Sequence, residues 1–87
     1  MKENRAQRLE AIIRSYGGRA MLAQLIEATK EDGGLSYKLT AAISEARDML
    51  RLSNPPQTIV CYKGKTPSQN LYVIEPYLEL FHGERAA

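Results

Sequence analysis

The chain has 87 residues, of which 44% are hydrophobic and 25% charged, and this is an ordinary composition for one small globular domain. The apolar runs are only a few residues long, so no membrane span is expected, and the N-terminus lacks the apolar core of a signal peptide. Cys61 is the single cysteine, which excludes an internal disulfide. These features predict a cytoplasmic protein.

The net charge of +2 is too small by itself to indicate a polyanionic partner. Its distribution is uneven, however. Residues 1–74 contain eleven Lys and Arg against seven Asp and Glu, whereas residues 75–87 contain one Arg against three Glu. The body is therefore mildly basic and the tail acidic, a balance that is compatible with nucleic-acid binding without demonstrating it.

Three amphipathic helices are predicted in the first half of the chain. The first covers residues 4–16, begins with the capping-box spacing of Asn4 and Gln7, and ends at Gly17-Gly18. The second covers residues 19–31 and ends in the sequence EDGG.

The third helix is expected to start with Ser36 as its cap and to run to about Leu52. Each helix has apolar residues on one face only, so the three should pack together as a core. The predicted core faces are Leu9, Ile12, Ile13 and Tyr16; Leu22, Leu25, Ile26 and Thr29; and Leu39, Ile43, Ala46 and Leu50.

A β-hairpin is predicted to follow, with two apolar strands on either side of the polar loop GKTPSQ. If Lys63 opposes Asn70, each face of the hairpin is apolar: Ile59, Cys61, Tyr72 and Ile74 on one, and Val60, Tyr62, Leu71 and Val73 on the other. One face can lie on the helices. The other needs cover from residues 76–81 or from a second copy of the chain.

We therefore expect an α+β fold with a three-helix core followed by a two-stranded hairpin, in one domain over residues 1–76. Residues 77–87 form a short C-terminal extension that packs on the hairpin or on a second subunit. In the second case the chain forms a homodimer through the hairpin and residues 77–81.

Residues 39–75, LTAAISEARDMLRLSNPPQTIVCYKGKTPSQNLYVIE, resemble the recognition helix and wing of small phage and prophage helix-turn-helix proteins. The order of three helices and a hairpin is also that of a winged helix-turn-helix. The matching positions are Leu39, Ile43, Ser44, Glu45, Arg47, Ile59, Cys61, Tyr72 and Ile74.

The resemblance implies that the third helix enters the major groove of double-stranded DNA and that the basic hairpin loop contacts the DNA backbone. A helical wheel with Leu39 and Ile43 turned inward independently turns Tyr37, Thr40 and Ser44 outward. The predicted DNA-binding residues are Tyr37, Lys38, Thr40, Ala41, Ser44 and Arg47 in the helix, and Lys63, Lys65, Thr66 and Ser68 in the loop.

The sequence thus favours a sequence-specific DNA-binding protein, expected to be a small phage or bacterial transcriptional regulator. The alternative is a protein-interaction module on the same scaffold, such as a phage-encoded factor that docks on a host protein. The third helix is poor in the Arg, Asn and Gln that usually read bases, and this keeps the alternative open.

Enzymatic sites find little support in the sequence. KGKT resembles the end of a P-loop, but Ile59 stands where that motif needs glycine and Pro67 interrupts the helix that must follow. His82 is the only histidine, and one His with one Cys makes no zinc site. We therefore expect no catalytic residues, no metal and no cofactor.

Overall fold

The computed structural model describes residues 4–77, without the side chains of residues 34 and 36. Helices and a three-stranded antiparallel sheet alternate in this part of the chain, which confirms the α+β class. The elements are α1 (Arg5–Ser15), β1 (Arg19–Met21), α2 (Leu22–Ala28), α3 (Gly33–Tyr37), α4 (Leu39–Arg51), β2 (Gln57–Tyr62) and β3 (Leu71–Pro76), with one turn of 3-10 helix at Pro67–Gln69.

Helix α1 has the start and the end that its sequence predicts. Asn4 Oδ1 accepts a hydrogen bond from Gln7 N at 2.8 Å, and Gln7 Oε1 accepts one from Asn4 N at 2.9 Å, which completes the capping box. Gly17 and Gly18 follow the helix with φ of +85° and +89°. Because this left-handed region favours glycine, the pair stops α1 and turns the chain toward the sheet.

The predicted second helix is wrong at its start, because residues 19–21 form strand β1 instead. Arg19, Ala20 and Met21 pair with β3, and the sheet has the order β1-β3-β2 rather than two strands. Backbone hydrogen bonds extend the pairing at both ends, from Ile74 N to Gly18 O and from Leu22 N to Asn70 O, each at 2.9 Å. Its partner β3 is about fifty residues away along the sequence, so no local sequence pattern predicts this strand.

The predicted third helix is divided into α3 and α4. Asp32 caps α3, since its Oδ1 accepts a hydrogen bond from Leu35 N at 3.1 Å. Helix α4 then begins at Leu39, where the preceding Lys38 makes no side-chain capping bond. The side chain of Ser36, the expected cap, lies outside the described residues.

The hairpin has the predicted register. Ile59 opposes Ile74, Val60 opposes Val73 and Cys61 opposes Tyr72. The face that carries Ile59 lies on the helices, where this side chain is buried and Tyr72 and Ile74 pack against the core. On the opposite face, Val60, Leu71 and Val73 are half-buried.

The core joins α1, α2, α4 and the inner face of the sheet. Its buried apolar residues are Ala6, Leu9, Ile13, Ala20, Leu25, Leu35, Ala42, Ile43, Ala46, Leu50 and Ile59. The prediction was wrong for Ile26 and Tyr16, which are 50% and 39% exposed. Leu25 and Thr29 turn inward from α2, and Ile26 projects about 100° away from Leu25.

None of the helices described in residues 4–77 has the length and the apolar character needed to cross a bilayer. The predicted C-terminal extension lies outside the described residues except for Tyr77. The backbone N–H of Tyr77 donates to Pro56 O at 2.9 Å and so continues the pairing of β3 with β2. The homodimer contact through residues 77–81 stays a prediction.

Candidate nucleic-acid interface

The first predicted group of DNA-binding residues lies around the start of α4. Tyr37 is 84% exposed, and the side chains of Lys38, Thr40 and Ser44 are also exposed. Ala41 is half-buried beside them. Because Ile43 is buried at 6% exposure, the helix presents to solvent the side that the helical wheel predicts.

Arg47 is oriented differently from the other predicted residues of α4. It is half-buried, and its Nε donates a hydrogen bond to the backbone oxygen of Ile59 in β2 at 2.9 Å. This bond fixes α4 against the sheet. The bond uses only the Nε–H, so a phosphate contact by Arg47, which stays a prediction, would use its terminal nitrogens.

The carboxylate next to Ser44 is neutralised by an arginine from α1. Arg5 Nε donates to Glu45 Oε1 at 2.9 Å, and its terminal nitrogen donates to Oε2 at 2.5 Å. Hydrogen bonding from Arg5 lowers the pKa of the Glu45 carboxyl below its usual range. The bidentate geometry leaves little negative charge directed at a ligand on this side of α4.

The second predicted group lies in the loop between β2 and β3, residues 63–70, here called the wing loop. Lys63, Lys65, Thr66 and Ser68 are all exposed in it. The hydroxyl oxygens of Thr66 and Ser68 lie 3.0 Å apart and share a hydrogen bond. The tip of the loop is therefore polar and cationic.

The hydrogen bond between Arg47 and Ile59 joins α4 to β2, the two elements that lead to the two groups. Thr40 is seven residues from Arg47 along α4, or about 10 Å at 1.5 Å per residue. Lys63 is four residues from Ile59 along β2, or about 13 Å. Each group therefore lies about 10 to 13 Å along its own element from the Arg47–Ile59 contact.

Ion pairs divide the cationic residues of the molecule into two sets. Arg5, Arg8 and Arg14 of α1 pair with Glu45, Asp32 and Glu10, and Lys30 lies 3.8 Å from Glu27. Among residues 4–77, by contrast, no carboxylate lies within 4 Å of Arg19, Lys38, Lys63 or Lys65. In the described part of the chain, cations without a nearby carboxylate thus lie at the start of α4, in the wing loop and in strand β1, and also farther along α4 at Arg47 and Arg51.

Tyr72 and Cys61 lie beside each other on the inner face of the hairpin. Partial burial, together with the neighbouring Cys61 thiol, raises the pKa of the Tyr72 phenol. Within residues 4–77, no three His, Cys, Asp or Glu side chains come together as metal ligands. On this inner face Tyr72 and Ile74 pack against the core, and Cys61 is half-buried.

An open cavity of about 480 Å³ lies at the far end of α4. Among the described residues it is lined by Asp48, Arg51, Leu52, Pro56 and Tyr77. The Arg51 guanidinium stacks over the Tyr77 ring at 4.6 Å from its centre. Leu52 is 89% exposed at the rim, so the cavity combines an apolar rim with a cation–π pair.

Sequence reasoning missed Arg5 and the role that Asn70 plays in closing the wing loop. Arg5 neutralises Glu45 from forty positions away, a relationship without any local sequence signal. Asn70 closes the wing loop by accepting a hydrogen bond from Gly64 N at 2.9 Å. Its position at the end of a polar loop, just before an apolar strand, was the only available hint.

No protein-family model, curated protein or solved structure matches this chain.

Proposed function

We propose that the protein binds double-stranded DNA as a winged helix-turn-helix domain. The start of α4 enters the major groove, and the wing loop contacts the sugar-phosphate backbone beside it. Binding of this kind suits a small phage or bacterial regulator of transcription. Sequence selection would come from the groove contacts, and affinity mainly from the phosphates.

The order of elements supports this proposal. Helix α4 precedes the hairpin directly and packs along β2, and the hairpin ends in an exposed basic loop. Helix α1 packs against α4, and the side chains of Thr40 and Ser44 in the first turns of α4 are exposed. A helix presented in this way can enter a major groove about 12 Å wide.

The observation that carries the proposal is the location of the lysines without carboxylate partners. The arginines of α1 are neutralised by ion pairs, whereas Lys38, Lys63 and Lys65 have no carboxylate within 4 Å among residues 4–77. Lysines that are exposed and free of acidic neighbours attract phosphates without first breaking an ion pair. All three belong to the proposed interface, Lys38 at the start of α4 and Lys63 and Lys65 in the wing loop.

The side chains proposed to face base edges are small and polar. Thr40 and Ser44 carry hydroxyl groups that donate and accept hydrogen bonds, and Ala41 between them lets the helix approach closely. Pairing with Arg5 reduces the repulsion between Glu45 and a phosphate. Asp48 lies one turn beyond Ser44 on the same face of α4 and is exposed, so its carboxylate opposes a phosphate that approaches that turn.

The test is a titration of the protein against labelled duplexes at several salt concentrations, with the duplexes selected beforehand from a random pool. Lys38→Ala, Lys63→Ala and Lys65→Ala should each weaken binding to all sequences and reduce the log–log salt slope by about 1. Lys30→Ala is the matched control, since Lys30 is also exposed but lies 3.8 Å from the carboxylate of Glu27. It should bind like the wild type.

Two results would contradict the proposal. The first is the absence of duplex binding at low salt, together with no enriched sequence in the selection. The second is equal loss of affinity in Lys30→Ala and in the three test variants, because that pattern would report only net charge.

The cavity at the end of α4 favours a second candidate function, docking on a protein partner. The stacked pair of Arg51 and Tyr77 consists of residue types that are enriched at the energetic centres of protein interfaces, and the 89% exposed Leu52 adds apolar surface beside it. Leu52→Ser should then abolish binding to that partner while leaving duplex binding unchanged. If wild type binds no duplex, and Leu52→Ser fails to bind a protein partner that wild type binds, docking on a protein replaces DNA binding as the proposed function.

A further inference from the structure

Asn70 links the two arms of the wing loop to each other and to α2. Its Oδ1 accepts a hydrogen bond from Gly64 N at 2.9 Å, across the base of the loop. Its backbone N–H donates to Pro67 O at 3.1 Å, and its backbone oxygen accepts from Leu22 N, the first residue of α2, at 2.9 Å. One residue thus holds the loop closed and attaches it to the helical core.

The closed loop has a short and defined tip. Gly64 and Gln69 approach so closely that only residues 65–68 lie beyond them. The 3-10 turn at Pro67–Gln69 and the hydrogen bond between Thr66 and Ser68 order this tip further. Lys65 is therefore attached to a short turn with an ordered base rather than to a long free loop.

We propose that Asn70 is the positioning residue of the wing, and this inference rests on the proposed binding to DNA. By holding Gly64, Asn70 keeps the tip in the arrangement that presents Lys65 to a phosphate. Binding then orders few additional residues, and less conformational entropy is lost in the complex. Asn70 acts through Lys65 and is not assigned a DNA contact of its own.

The side-chain bond can be removed separately from the backbone bonds. Asn70→Ala deletes only the acceptor for Gly64 N, whereas the bonds from Leu22 N and to Pro67 O are made by the backbone and remain. Asn70→Asp keeps a carboxylate oxygen at the position of Oδ1. Amide hydrogen exchange at Gly64 should accelerate in the alanine variant and remain slow in the aspartate variant.

The functional test is a double-mutant cycle with Lys65 on the duplex selected for the wild type. Asn70→Ala should weaken binding roughly threefold to tenfold at low salt and lower the salt slope by about 1, as loss of one phosphate contact would. Lys65→Ala should add little in the Asn70→Ala background, because the two changes remove the same contact. Unfolding temperatures of both variants show whether the fold is kept.

The possible outcomes separate this inference from the function on which it rests. If wild type binds duplex and Asn70→Ala binds with the same affinity and salt slope, the positioning role is wrong and the DNA-binding proposal stands. Independent, additive losses in the double variant also exclude the role. If wild type itself binds no duplex, both proposals are wrong.

Discussion

Gly64 lies against Gln69 across the base of the wing loop, with no space for a side chain between them. A β-carbon at position 64 would lie 2.6 Å from the Cβ of Gln69 and 2.6 Å from its carbonyl oxygen. Part of this contact is with backbone, which cannot rotate away as a long side chain can. Glycine at position 64 is therefore a requirement of the closed loop.

We predict that Gly64→Ala destabilises the protein by about 1–3 kcal/mol, because the two arms of the loop must separate to admit the methyl group. Thermal or urea unfolding measures the effect. Gly33→Ala is the matched control, since nothing lies within 4 Å of a β-carbon there. Equal stability of the two alanine variants would contradict the close approach.

The burial of Ile43 on α4 predicts a large cost for its truncation. Ile43→Ala should lower the free energy of unfolding by about 2–5 kcal/mol, because transfer energy is lost and a cavity is left in the core. Ile26→Ala makes the same chemical change on the exposed side of α2 and should cost less than about 1 kcal/mol. Similar unfolding curves for the two variants would show that α4 does not pack as described.

The ion pair between Arg5 and Glu45 predicts a pH dependence of stability. Because the folded-state pKa of Glu45 is lowered, its stabilising contribution is present above the unfolded-state pKa of about 4.3 and is lost as the pH falls through the folded-state value. Arg5→Ala should therefore melt below wild type at pH 7, and the difference should shrink toward pH 3.

Arg19→Ala is the control for this pH series, because no carboxylate lies within 4 Å of Arg19 among residues 4–77. Its melting temperature should run parallel to that of the wild type across the range. A gap between Arg5→Ala and wild type that stays constant down to pH 3 would exclude a role for Glu45 ionisation.

The exposed hydroxyl side chains of α4 predict a loss of selectivity rather than of general affinity. Thr40→Leu and Ser44→Leu should abolish preference for the selected duplex while retaining some non-specific binding, since the lysines that attract phosphate remain. Ala23→Leu enlarges an exposed residue of α2 in the same way and should leave selectivity unchanged. Competition between selected and scrambled duplexes measures the difference.

The hairpin and α1 were predictable because their signals are local. Two apolar runs on either side of the polar loop GKTPSQ are a local signal for a hairpin, and the register assumed for it, with Lys63 opposite Asn70, agrees with the observed pairing of Ile59 with Ile74. Asn4 and Gln7 are three residues apart, and their reciprocal bonds need nothing beyond the first turn. Both features depend on residues that are close together in the sequence, so the sequence predicts them.

Strand β1 and the orientation of the Arg47 side chain could not be predicted from local sequence. Only Ala20 of the three β1 residues is buried, which is too little for an alternating pattern, and its pairing with Tyr72 depends on the complete fold. Arg47 fits an outward position on a helical wheel, yet its guanidinium turns to Ile59 because β2 lies beside it. Contacts between distant segments decided both cases.

Strand β2 is an edge of the sheet in the described part of the chain. Tyr77 N–H bonds to Pro56 on the β2 side and Ile74 N–H to Gly18 on the β1 side, so successive residues of β3 face alternate neighbours. By that alternation, residues 57, 59 and 61 of β2 direct their backbone groups away from the sheet. The carbonyl of Ile59 is the middle acceptor of this open row.

An open row of backbone donors and acceptors is a template on which a strand from another molecule can add, the usual start of edge-to-edge aggregation. Arg47 occupies the middle acceptor, and its guanidinium stands where the incoming strand would have to lie. Arg47, which bonds α4 to the hairpin, therefore also occupies one acceptor with which a strand from another molecule could pair.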